Sequence, residues 1–183
     1  MARTTIPASV HEPEHRELHK QGMLIYQNEL TTAVTDLDIT GLSGRAHGGY
    51  VIELIPHNPT ASFCIYRLFV EGNNTTTNYH TQFLFGTGTS ATAGRAIAAD
   101  VCAAGITSAC KATISLSLAV YPTNQYWPVA TVEEMRWNAN VEHVTRSWAK
   151  ADSPVSDITT IRISSNVANG LGVGTQVRIW RKT

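Results

Sequence analysis

From residue 30 onward, apolar and polar side chains alternate with a period of two, the signature of strands that bury one face. In Asp36–Leu42, Leu37 and Ile39 face one way while Asp36, Asp38 and Thr40 face the other. A Gly-Leu-Ser-Gly turn at 41–44 and the Gly48-Gly49 pair lead into a strand at Tyr50–Ile55. Phe63–Val70 is apolar on both faces, as a central strand packed from two sides would be. A turn at Glu71–Asn74 precedes a strand at Tyr79–Phe85, and Ile114–Val120 alternates cleanly. Val132–Trp137 and Val141–Trp148 flank Asn138–Asn140 and predict a hairpin. In the last quarter Ile161 and Ile163 alternate with Thr160, Arg162 and Ser164, and Val177 and Ile179 alternate with Gln176, Arg178 and Trp180. A connection carrying Asn169, Gly170, Gly172 and Gly174 is expected to pass the chain from the first of these two strands to an antiparallel neighbour. About nine strands at this spacing predict an antiparallel sandwich or barrel.

Two stretches break the pattern. Gly86–Ala112 is small and polar, and its middle, Ala93–Ala104, reads as a short helix or as a long surface loop. A loop of that length in a compact β domain is usually functional or packed on a neighbour. The second stretch is residues 1–29, read as an extended arm that leaves 30–183 as the sandwich domain. Pro7 and Pro13 bound it, one short helical turn is expected around Glu14–Gln21, and Gly22 ends that turn. Such an arm has little core of its own and orders against a neighbouring surface. No internal repeat or sustained heptad is present, so the chain is neither a solenoid nor a coiled-coil shaft.

Composition narrows the partners. The 14 basic and 14 acidic residues cancel and charged residues make up only 15%, which argues against a nucleic-acid-binding surface. Polar positions are filled by Thr, Ser, Asn and Gly, giving the uncharged, hydrogen-bonding surface of a protein that contacts neighbours or sugars. Met1–Arg16 has no apolar run of the kind a secretory signal needs, and no stretch approaches the ~18 apolar residues of a membrane span. Synthesis in a cytoplasm without membrane insertion is expected. Cys64, Cys102 and Cys110 agree: an odd number, with Cys64 reading as a small buried thiol inside a strand.

The candidate chemistry is thin. His11-Glu12-Pro13-Glu14-His15 matches a zinc-protease signature in spelling, but Pro13 breaks the helix that must hold both ligands on one side. A structural metal on His11, His15 and His19 is a weaker claim, and no metal or cofactor is assigned. The glycines at 170–174 and at 86–88 lack the helix and the Lys-Ser/Thr of a phosphate loop and read as β turns. Glu133 and Glu134 are adjacent in a strand, so they face opposite ways and cannot share a substrate. No catalytic residue is assigned. Tyr121, Tyr126 and Trp127 sit in a segment that reads as a loop presenting rings. With Trp137, Trp148 and Trp180 they are core or subunit-interface anchors, or else a surface on which sugar rings stack. Trp180 points away from Val177 and Ile179, so a loop or, more in keeping with the pattern, a subunit is expected to cover it.

Asp36-Leu-Asp-Ile-Thr-Gly-Leu42 with the strand at Tyr50–Ile55 resembles the opening of a β-sandwich domain of tailed-bacteriophage structural proteins. Ile158–Ser165 with Gly174-Thr-Gln-Val-Arg-Ile-Trp180 resembles its close, and Gly86–Ala112 sits where such proteins carry a polar, glycine-rich excursion. The resemblance covers roughly residues 33–181 and is one of strand-and-turn patterns. It implies an all-β, antiparallel jelly-roll-like sandwich with an extended N-terminal arm, in a non-enzymatic virion structural protein made in the host cytoplasm. Capsid decoration or tail fibre would be its place, major capsid or tail proteins its partners, and a homotrimer its assembly. The competing expectation is a host-attachment module of the phage tail that binds a surface glycan.

Overall fold

The computed structural model describes residues 22–87, 89–97, 105–106, 111–120, 128–138, 140–150 and 154–182. Within them the chain is an all-β antiparallel sandwich. An eight-stranded sheet is built from β1 (Leu24–Glu29), β3 (Gly49–Ile55), β5 (Tyr79–Thr87), β6 (Ser90–Ile97), β8 (Lys111–Val120), β9 (Pro128–Asn138), β10 (Asn140–Lys150) and β12 (Gln176–Arg181). Its order is β1-β12-β3-β8-β9-β10-β5-β6. A smaller sheet, in the order β2-β11-β4-β7, holds β2 (Asp36–Ile39), β4 (Cys64–Val70), β7 (Gly105–Ile106) and β11 (Ile161–Ser165). One helical turn, α1 (Gly44–His47), joins β2 to β3 and ends on Gly48 in the left-handed conformation.

The period-two pattern is what closes the sandwich. Ile39, Tyr66, Leu68, Val70, Ile161 and Ile163 of the small sheet share one buried cluster with Tyr50, Ile52, Leu54, Ile114, Leu118, Val177 and Ile179 of the large one. Most alternate positions on β3, β4, β11 and β12 are half-buried, with Phe69 and Trp180 buried as well. The buried tyrosine hydroxyls are paired. The Tyr66 hydroxyl donates to the Gly170 carbonyl at 3.0 Å, and burial raises both tyrosine phenols, Tyr50 to about 12 and Tyr66 further. At the end of the sandwich near α1, carboxylates hold the segment that enters β11. Asp157 accepts from the amides of Arg45 (2.6 Å) and Ile158 (2.7 Å). Glu71 accepts from the amides of Thr159 and Thr160.

Four expectations change. Leu24–Glu29, assigned to the arm, forms β1, and its register against β12 runs from Leu24 opposite Trp180 to Glu29 opposite Gln176. Among the described residues the sandwich therefore starts at residue 24 rather than 30, because β1 pairs along the edge of β12. The last two strands are not neighbours: β11 lies in the small sheet and β12 in the large one. Their glycine-bearing connection crosses between the layers and is stitched down on both sides. Gly172 donates its amide to the His57 carbonyl, Gly174 to that of Leu30, and Leu171 exchanges two backbone bonds with Val34. The excursion at 86–112 contains strands β6 and β7 where a helix or loop was expected. Alanine and glycine carry little strand preference of their own, and β6 exists because it pairs residue for residue with β5. Finally, Trp180 is only 9% exposed within the single chain, so no subunit is needed to bury it.

Candidate interaction surface

Five long strands, β8, β9, β10, β5 and β6, run side by side and present a broad outer face, directed away from the small sheet. Opposite residues in an antiparallel register share a face, so rows can be read across the sheet. One row is Glu133–Thr145–Leu84–Ala93. On one side of it runs Thr131–Ser147–Gln82–Arg95, and on the other Met135–His143–Gly86–Ala91. All of these residues are exposed except the half-buried Thr145 and Gly86. Glu133 and Arg95 bring one charge of each sign, and Leu84 (54% exposed) and Met135 (60%) stand out into solvent.

The twelve residues of these rows, on four strands about 4.8 Å apart and in three rows about 6.8 Å apart, cover on the order of 400 Å² in projection. That is about half of the 800 Å² that a standard interface takes from each partner, so these twelve residues alone fall short of one.

The Phe83 ring of β5 lies across Gly94 of β6, so that a Cβ built on Gly94 would fall 2.9 Å from Phe83 Cε1. An aromatic ring laid over a strand glycine covers backbone that would otherwise be wet.

The residues singled out in the sequence fall elsewhere. Tyr121, Tyr126 and Trp127 lie outside the described residues, as do His11, His15, His19, Cys102 and Cys110. Trp180 is described, and it is packed within its own chain. Cys64 is a free, buried thiol, as expected. Gly174 sits at φ 86° in a turn before a strand, in keeping with a β turn. The exposed face itself was not anticipated. Its signal was present as two large apolar residues, Leu84 and Met135, in the outward phase of otherwise polar strand positions.

The class of protein these features define is the all-β antiparallel sandwich. Compared with protein-family models, with curated proteins and with solved structures, the chain matches none. Among the described residues no helix is long and apolar enough to cross a membrane.

Proposed function

We propose that this chain is a non-enzymatic structural protein of a bacteriophage virion, a capsid decoration or tail-fibre component docked onto the particle by its N-terminal arm. A jelly-roll-like winding of the sandwich belongs to the same proposal. The observation that carries it is the outer face of the large sheet, uncharged over most of its area and set with exposed Leu84 and Met135. Such a surface suits contact with neighbouring protein better than attraction of a charged ligand. The twelve residues mapped on it fall short of a standard interface, which supports a second contact made by residues 1–22.

Deleting Met1–Gly22 tests this directly, because every described strand of the sandwich begins at Leu24 or later. The truncated protein should fold with an unchanged circular dichroism spectrum and fail to join the particle. Incorporation at normal occupancy would remove the arm as the anchor. Absence of the full chain from gradient-purified particles would end the virion reading altogether. Replacing Tyr126 and Trp127 with alanine separates structural from attachment roles. Intact particles that no longer adsorb would make the protein a host-attachment module instead.

A further inference from the structure

Among the described residues, four strands form the borders of the two sheets: β1 and β6 in the large one, β2 and β7 in the small one. A border strand offers a row of unpaired backbone donors and acceptors, and proteins that stay monomeric blunt it. Three of these borders are blunted. β7 is two residues long. β2 is four residues long and carries Asp36 and Asp38, the latter tied to Arg162 at 2.6 Å. β1 has an irregular register between Leu24 and Tyr26, and it bears Glu29. β6 differs from all of them. It is eight residues long, Ser-Ala-Thr-Ala-Gly-Arg-Ala-Ile, with no proline, no bulge against β5 and Arg95 as its single charge. Ser90, Ala91, Thr92, Ala93 and Arg95 are all exposed, while Gly94 is half-covered by the Phe83 ring.

We propose that β6 pairs antiparallel with β6 of a second copy of this chain, joining two eight-stranded sheets across a two-fold axis. In such a pairing, opposite residues must point to the same face, so one residue of β6 has to stand opposite itself. Charge chooses which. An axis at Arg95 would place two guanidinium groups face to face, which is destabilising. An axis at Ala93 uses the length of the strand and sets each Arg95 opposite Ala91 of the copy. It also aligns Leu84, Ala93, Ala93 of the copy and Leu84 of the copy in one apolar row, because Leu84 stands opposite Ala93 in the register. The two alanines are small enough for both exposed leucines to lean over the joint. On the other face Gly94 comes opposite Thr92 of the copy, beside the Phe83 ring that already covers Gly94. In β-strand addition the main-chain hydrogen bonds along such an edge supply the affinity. This inference stands independently of the virion reading.

The test is sedimentation equilibrium of the full chain from about 1 to 200 μM, a range set by the modest area that one strand pair buries. The expected limit is twice the 19.9 kDa chain mass. Ala93→Asp and Ala93→Lys should each shift the chain to monomer at least tenfold in dissociation constant, because like charges then meet at the axis. Mixing the two variants should restore the dimer. Both substitutions fall on an exposed side chain, and unchanged melting temperatures would confirm that the fold is intact. If a variant does not fold, concentration-dependent amide protection at residues 90–97 of the unaltered chain provides the same test. A monomer throughout the range would overturn the pairing, as would a trimer or open polymer, or a dimer indifferent to charge at residue 93.

Discussion

Replacing Gly170 with alanine should destabilise the sandwich through sterics alone. Gly170 is buried on the connection between the sheets, and its backbone lies outside the left-handed region that Gly174 occupies. Alanine can therefore adopt its backbone without strain. The added methyl, however, would stand 2.9 Å from Cys64 Sγ and closer still to Ser165 Oγ. Both neighbours are buried and short, with no flexible end to swing aside. Ser165 Oγ also accepts from the Val167 amide at 3.2 Å, a bond that is lost if the hydroxyl is displaced. Overpacking of a tight core costs roughly 1–3 kcal/mol and the lost hydrogen bond about 1, so a total near 2–4 kcal/mol is expected. In a chain of this size that corresponds to a fall in melting temperature of roughly 5–15 °C. Calorimetry gives the shift, and urea unfolding gives the free energy. A second variant makes the cause specific: in a Ser165→Ala background the nearest atom is gone, so Gly170→Ala should cost at least about 1 kcal/mol less. A melting temperature within about 1 °C of wild type, or the same penalty in both backgrounds, would refute the steric reasoning.

Other outcomes follow from named contacts. The bidentate hydrogen bond from Arg162 holds the Asp38 carboxyl below its ordinary 3.8, so its contribution is complete above that value and is lost as pH falls through the lowered one. Because the pair is exposed, Asp38→Asn should flatten the acid limb of a stability–pH profile by only a few tenths of a kcal/mol, less in high salt. Tyr50 is raised to about 12, so the stability it contributes is complete below pH 10 and declines between about 10 and 12; phenolate absorbance should show its ionisation coupled to unfolding. Gly94→Val should destabilise by about 1–3 kcal/mol in urea despite valine's preference for strands, because the Phe83 ring occupies the space. Trp180→Ala should lower the stability of the isolated chain by roughly 3 kcal/mol, a loss that would be absent if only a subunit covered the ring.

The strands of the core were legible because each one writes its own burial into the chain. Leu37 with Ile39, Ile161 with Ile163, and Val177 with Ile179 alternate whatever lies around them, and these pairs mark where the two sheets face each other. The buried Cys64 and the turn at Gly174 could be read in the same way, since a strand phase and a positive φ are local properties. What only the tertiary structure decided is who stands beside whom. Local pattern does not say that β11 and β12 part into different sheets, because both alternate identically and only the hydrogen bonds of their connection separate them. Nor does it announce β6, whose Ala-Thr-Ala-Gly run has no preference until β5 supplies a partner and Phe83 covers its glycine. Trp180 shows the same limit, because the side of a strand a residue faces is local, whereas what covers that side is not. Periodicity records which face is buried; pairing is a long-range choice among strands of similar pattern, settled by packing summed over the whole sandwich.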